Sequence, residues 1–576
     1  MGVRGLKTFL EREGEIYPID IGDEIKQWKR ENPNKTPTVV IDFLSLTHCV
    51  ARKENDTICS GRHQITIKAW TELLDALKAT GCLLVFFADL TLQDGKSDTW
   101  LSRRNEKFDL YTSLYELIDA GVGVETIVAT VQERKGLTTK FHGMELVAQT
   151  YGDFHHSIKY ECDLEIAQYA KNHDVLAVMT NDTDFLIFDG PWKLWSSNDI
   201  EITASKQVKT VEYNRKALAK ICSLSQRQLP ILATLLGNDF TNEYYDQLNS
   251  FHRTLGPMRN KFKNVANYVR GFGSGQLSDA HITQIKQKIF GYGNDAKQQL
   301  IRQSIESYST DFPVATVDDP IEKQLLTTSM YRPYMTMMST NQGITMPFYD
   351  MRGCATGANF PLLLADWLKR KIGVIRQRND DKEFSFTLLM KKAIDVFYKA
   401  YTETPIYPKF TVSPLDQLYA KANDDSDILE MRWKILAFIM TLPDDIILAI
   451  KKLSKDLTLV CVTLYALVKS GLIGENEADG ILYTEHKVYA NEILDAAYPT
   501  VLTAKHVRAA HLYNVAFSYV RQNFAIAGLL QSVQEIFQFD GVFYQDLMRK
   551  ADKMNDPKLE SLFAPIKDYR LYSKNI

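Results

Sequence analysis

Three apolar runs that each end on aspartate constrain this chain more than any other feature. They are Thr38-Val39-Val40-Ile41-Asp42, Cys82-Leu83-Leu84-Val85-Phe86-Phe87-Ala88-Asp89 and Val175-Leu176-Ala177-Val178-Met179-Thr180-Asn181-Asp182-Thr183-Asp184. Short continuous apolar runs with helical stretches between them predict buried strands of a parallel sheet. Ligands of open α/β sheets bind beyond the carboxyl ends of the strands, so these terminal aspartates are expected in one crevice. Carboxylates crowded there repel one another, and a divalent cation is the simplest relief.

The alternation of strand-like and helix-like segments over residues 1–240 predicts an α/β, doubly wound, mostly parallel sheet. A helix over Thr99 to Ala120, with Trp100, Leu101, Phe108, Tyr111, Leu114 and Leu117 as its apolar stripe, forms an insertion within about residues 90–143 on the active edge of the sheet. A further helix is expected from Ser223 to Leu236, stopped by Gly237. Residues 241–310 read as a basic helical segment: between positions 251 and 300, Arg253, Arg259, Lys261, Lys263, Arg270, Lys286, Lys288 and Lys297 face only Asp279 and Asp295. Beyond a polar break at Tyr308 to Pro320, residues 311–576 read as mostly α-helical, as in the spacing of Leu512, Val515, Ala516, Tyr519 and Val520.

With 45% apolar and 24% charged residues the composition is that of a globular protein that can bury a large core. Its formal charge of −3 does not advertise nucleic-acid binding, although an acidic metal site lowers the sum and leaves local charge decisive. The odd, scattered cysteines contain no paired zinc motif and fit reduced thiols. No secretory signal is visible, and the longest apolar run, Leu457 to Val468, is too short to span a bilayer. A soluble intracellular protein without membrane attachment is therefore expected.

Taken singly, Asp42 or Asp89 reads as a helix cap or turn former. Glu161-Cys162-Asp163-Leu164-Glu165 alone reads as an acidic helix start, and Asn181-Asp182-Thr183-Asp184 alone as a turn. Together they change meaning, because a helix opening at Glu161 and a strand returning over Asp174 to Thr180 bring both acidic segments to one sheet edge. Hard oxygen ligands select Mg²⁺ or Mn²⁺. Two such ions about 3.5 to 4 Å apart activate water and stabilise the leaving oxygen of a phosphodiester. His155-His156 reads as a strand or surface pair and not as ligands.

The opening Met1-Gly2-Val3-Arg4-Gly5-Leu6, the Val40-Ile41-Asp42 and Phe87-Ala88-Asp89 strand ends, Glu161-x-Asp163, Thr180-Asn181-Asp182-Thr183-Asp184 and Leu236-Gly237-Asn238-Asp239 together resemble the flap endonuclease and XPG-type structure-specific nucleases, which share a PIN-like fold. Gly237-Asn238-Asp239, the helix Leu229-Pro230-Ile231-Leu232-Ala233 and the long helical C-terminal half resemble the asteroid subfamily. The resemblance implies seven metal-site carboxylates, Asp42, Asp89, Glu161, Asp163, Asp182, Asp184 and Asp239, holding two Mg²⁺ or Mn²⁺ ions. Asp163 stands where flap endonucleases have glutamate, and Glu165, one turn beyond Glu161, is a compensating candidate. The resemblance also implies a catalytic Lys96 and Arg103 holding the scissile phosphate, with Arg104 beside them. His48 is a base-stacking candidate, or a buried structural histidine.

The chain departs from flap endonucleases after Asp239, where only Leu255-Gly256-Pro257 resembles the family's duplex-gripping turn. Arg253, Arg259, Lys261 and Lys263 are candidates to replace it, since phosphate contacts need charge more than a motif; a solvated charged helix pair is the competing reading. The expected function is Mg²⁺-dependent, two-metal hydrolysis of branched or single-stranded-end DNA, with DNA favoured over RNA and the nucleus over the cytoplasm. The alternatives are an RNA endonuclease, or a binding scaffold in signalling or RNA-protein assemblies that takes a protein partner on its helical C-terminal half.

Overall fold

The computed structural model describes residues 2–50, 54–89, 97–133, 143–157, 160–273, 277–293, 295–312, 344–345, 354–355, 357–376, 384–391, 398–420, 426–490, 492 and 496–573. Two units are present. The first comprises Met1–Val50, Thr71–Asp89 and Ala148–Thr316, and the second Ala51–Trp70, Leu90–Val147 and Val317–Ile576.

The first unit is built on eight strands: β1 (Ile16–Asp20), β2 (Thr38–Asp42), β3 (Leu83–Asp89), β4 (Asp153–Ser157), β5 (Ala177–Met179), β6 (Lys193–Trp195), β7 (Glu201–Ile202) and β8 (Val208–Tyr213). Their order is β1-β8-β6-β5-β2-β3-β4, with β7 alongside β8. The neighbours from β6 to β4 run parallel, while β8 and β1 add an antiparallel edge. Val39, Val40 and Ile41 are all fully buried, so both faces of β2 are covered and its run cannot alternate.

The chain lays β2, β3 and β4 in one direction and then returns to place β5 on the other side of β2. This reversal opens a crevice at the carboxyl ends of β2 and β5, where ligands of such sheets bind. Asp42 aligns with Phe87, which sets Asp89 two residues further along its strand.

The helix Cys162–Asn172 buries Ile166, Ala167 and Ala170 against Val40, Val85, Phe87 and Val178. The expected helix over Ser223 to Leu236 is a 3₁₀ turn, Gln226–Gln228, followed by the helix Leu229–Leu236. Pro230 explains the division, since it lacks the N–H that a helix interior needs and suits a first turn. The basic segment forms the helices Tyr245–Leu255, Lys261–Arg270, Asp279–Phe290 and Asp295–Glu306. Val265, Val269, Ile282, Ile285 and Ile301 from these helices join the core of the first unit, so their basic residues decorate an amphipathic layer.

The second unit contains the insertion helix Ser97–Asp119 and the helices Phe360–Arg376, Ser426–Met440, Lys455–Lys469, Glu475–Tyr489 and Ala504–Ile526. It also holds a small sheet in which Phe386–Met390 pairs antiparallel with Lys399–Glu403 and parallel with Ile344–Thr345, strands that the helical reading did not anticipate. Leu457 to Val468 lies in the helix Lys455–Lys469, and among the described residues no helix is long and apolar enough to cross a membrane.

Two buried histidines are expected to make the second unit acid-sensitive. His63 and His511 are 2% and 5% exposed, and burial lowers both from 6.5 to about 4. Between these values the unfolded chain binds more protons than the folded one, so stability is lost as pH falls from 6.5 towards 4. The full difference corresponds to an upper limit of about 3 kcal/mol for each group. The melting temperature is expected to fall across this window, and the His63→Gln/His511→Gln double variant to flatten the profile; an unchanged slope in that variant contradicts the assignment.

Candidate functional site

The carboxyl ends of the central strands carry a chain of hydrogen bonds that links the predicted acids. Asp42 closes β2 and accepts from the Ser45 backbone N–H (3.1 Å) and from the Thr180 hydroxyl (2.8 Å). Thr180 follows β5, and its Oγ1 in turn accepts from the Asp182 N–H at 3.1 Å. Asp182 caps the 3₁₀ turn Thr183–Leu186, its Oδ1 accepting from the Asp184 N–H at 2.9 Å. The Tyr308 hydroxyl donates to Asp184 Oδ1 at 2.7 Å and accepts from the Asn238 side-chain amide at 3.2 Å. Asn238 is 1% exposed and immediately precedes Asp239. Asn181 locks the same turn onto the loop after β6, donating its backbone N–H to Ser45 Oγ and accepting from the Asn198 N–H.

Electrostatic repulsion links several of these acids. Burial pushes the Asp42 carboxyl up to about 6, with Asp89 and Asp182 adding to the rise and the Ser45 and Thr180 hydrogen bonds opposing it. Asp163, in the first turn of Cys162–Asn172, is held well above the ordinary carboxylate range by burial first and then by Asp182, Asp42, Asp89 and Asp184. Five predicted acids are thus brought within mutual repulsion. Glu161 occupies the N-cap position of the helix that carries Asp163, without a side-chain hydrogen bond to it, and Asp239 follows Asn238 in the chain. Glu165 Oε1 accepts from the Tyr160 N–H at 3.0 Å and ties down the loop entering the helix.

The donor chemistry, hard carboxylate oxygens that repel one another, fits Mg²⁺ or Mn²⁺. Among the described residues, however, no three acidic, histidine or thiol groups form a ready-made cation cage.

Sequence reasoning overlooked Gly2 as part of the site. Its φ is 80°, and a Cβ there would stand 2.3 Å from Asp182 Oδ1, 2.5 Å from Thr183 Oγ1 and 2.8 Å from the Thr183 backbone nitrogen. A side chain at Gly2 must therefore displace the turn backbone as well as the Asp182 carboxylate. Gly2→Ala is expected to cost on the order of 1 to 2 kcal/mol for the left-handed conformation and to weaken Mn²⁺ binding about tenfold. Unaltered affinity in calorimetry contradicts this placement.

Other predicted residues are distributed differently. Lys96 lies outside the described residues. Arg103 and Arg104 are half-buried in the helix Ser97–Asp119 of the second unit. His48 is half-buried in the helix Phe43–Val50 that follows Asp42. Arg253 and Arg259 are exposed, Lys261 is half-buried, and Lys263 pairs with Glu13 at 2.9 Å. His155 and His156 lie on β4, where His155 stacks on Phe87.

Two family models match this chain. The XPG I-region matches residues 155–239 and the FAM120A-like domain matches residues 222–312. The first interval contains Glu161, Asp163, Asp182, Asp184 and Asp239. The second contains the basic helices and Tyr308. Curated relatives include the constitutive coactivator of peroxisome proliferator-activated receptor gamma from Mus musculus, 27% identical over 42% of this chain and 30% of that protein. The Homo sapiens protein is 27% identical over 42% of this chain and 26% of its own length, so the match spans less than a third of either relative. Similar solved structures include the catalytic core of Rad2 in complex with DNA substrate, at TM-score 0.30 and 13% identity over 59% of this chain and 99% of that one. Human GEN1 in complex with Holliday junction DNA gives TM-score 0.32 and 13% identity over 76% of this chain and 96% of its own.

Proposed function

We propose that the first unit is a divalent-metal-dependent, structure-specific nuclease that hydrolyses phosphodiesters of branched or single-stranded-end DNA. The observation that carries this reading is the set of mutually repelling aspartates at the switch point of the sheet. Asp42, Asp89, Glu161, Asp163, Asp182, Asp184 and Asp239 are the residues that would hold Mg²⁺ or Mn²⁺. When bound, two such cations supply Lewis-acid activation of water and stabilisation of the leaving oxygen. The protein's own groups orient the acids: Ser45 and Thr180 favour the ionised form of Asp42, Asp182 sets the backbone of Asp184, and Tyr308 fixes the Asp184 carboxylate. Lys96, Arg103, Arg104 and His48 are proposed substrate contacts, joined by Arg253, Arg259, Lys261 and Lys263. Assignment to the asteroid type rests on Gly237-Asn238-Asp239 and the helical C-terminal half, and a nuclear location on that family resemblance.

The test is a panel of labelled flap, overhang, splayed and hairpin substrates in Mg²⁺ and in Mn²⁺. Cleavage of branched or single-stranded-end DNA is expected, and failure to cleave any DNA or RNA member sinks the proposal. A second reading, a binding scaffold on a nuclease-derived fold, is favoured by the FAM120A-like match and the coactivator relatives. Tight substrate binding without cleavage in either metal would support it.

A further inference from the structure

The N-terminal segment carries a feature that the metal site does not use. It runs from Gly2, packed against the Asp182 turn, to Arg4, whose backbone N–H donates to the Gly237 carbonyl at 2.9 Å, two residues before Asp239. The Arg4 guanidinium lies 4.1 Å from the ring centroid of Tyr245, the first residue of the helix Tyr245–Leu255. Tyr245 is 48% exposed, so its ring is open to a ligand as well as to Arg4. The neighbouring residue repeats the pattern, since Lys297 Nζ stands 3.6 Å from the Tyr244 ring centroid. Lys261 continues the positive surface, and Phe262 beside it stacks on Phe9 at 4.4 Å, fixing the helix Lys261–Arg270 to the helix Leu6–Arg12.

Aromatic rings interleaved with cations are the surface that single-stranded nucleic acid needs. An unpaired base offers a π-face to tyrosine or guanidinium planes, and its phosphates are neutralised by the same side chains. A continuous duplex hides those faces. We infer that Arg4 and Tyr245 form a stacking platform for a base of a single strand whose backbone leads to the Asp182–Asp239 carboxylates. This inference rests on the reading of those carboxylates as a phosphodiesterase site and names the form of nucleic acid that reaches it. Main-chain attachment to Gly237 couples the platform to the loop bearing Asp239, so a base seated there fixes the distance from stacked nucleotide to reacting phosphate.

The experiment measures fluorescence anisotropy of a labelled oligo-dT strand with the full chain in EDTA, where binding is read without cleavage. Tyr245→Ala is expected to weaken binding about tenfold and Tyr245→Phe to retain it, because the ring and not the hydroxyl stacks. Arg4→Ala, a change at an exposed side chain, is expected to weaken binding and to lower the slope of log affinity against log salt by about one. Melting curves establish that each variant is folded. No binding of oligo-dT by the wild type, or wild-type affinity in both folded Tyr245→Ala and folded Arg4→Ala, overturns the inference. Intact binding with no cleavage of the substrate panel overturns the nuclease reading instead, and intact cleavage with both variants binding normally overturns only the platform.

Discussion

Asp182→Asn is expected to leave the chain folded, and even slightly more stable, while lowering phosphodiester cleavage by on the order of a hundredfold or more. Asparagine keeps an oxygen where Asp182 Oδ1 accepts from the Asp184 N–H, so the turn retains its cap. What disappears is one negative charge. Asp182 is the first of the charges that hold Asp163 up, after burial itself, and it also raises Asp42. Both carboxyls therefore move back towards their ordinary range, and repulsion in the folded state falls. Proteins commonly store such strain where function requires it, which makes opposite movements of stability and activity the signature of a functional site. Steady-state cleavage together with denaturant titration reads both quantities. Wild-type cleavage with unchanged stability would mean that the site has been misplaced.

Arg215→Ala is expected to destabilise the first unit by about 3 to 5 kcal/mol, the largest single-residue cost anticipated for this chain. Its Nε donates to the Phe185 carbonyl at 2.9 Å, and Nη1 donates to the carbonyls of Gly190 at 2.6 Å and Trp192 at 3.0 Å. Nη2 donates to the Phe188 carbonyl, and the guanidinium lies 4.3 Å from the Trp192 ring centroid. This one side chain thus organises residues 185–192, the segment that leaves Asp184 and enters β6. Removing it leaves several carbonyls without a donor and a fully buried Trp192 without its stacked partner. Arg215→Lys is not expected to rescue, because an ammonium cannot reproduce the planar fork. A shift in denaturation midpoint worth less than about 1 kcal/mol would contradict this account.

Legibility of the fold followed the range of the forces involved. Thr38–Asp42 and Leu83–Asp89 were readable because strands buried on both faces leave continuous apolar runs. Strand β4, Asp-Phe-His-His-Ser, carries no such run, and β6 has only three residues. Strand β1 pairs with β8, Ile16 opposite Tyr213, and no local pattern announces so distant a partner. The acids could be named because their spacing survives in the linear chain. Their supports could not: Tyr308 lies 124 positions from Asp184, at the end of a segment legible only as basic. Gly2 was visible as part of an N-terminal motif, but its packing against the Asp182 turn emerges only in three dimensions. Nor did helical spacing reveal that the Tyr160 N–H engages the Glu165 carboxylate.

The central claim, that these aspartates are a divalent-cation site, is tested most directly by titrating the full chain with Mn²⁺ and counting bound ions by electron paramagnetic resonance. The account predicts two Mn²⁺ ions per wild-type chain, displaced by Mg²⁺, and loss of binding in both Asp42→Asn and Asp163→Asn. No saturable Mn²⁺ binding by the wild type, or the same stoichiometry and affinity in both variants, would contradict it.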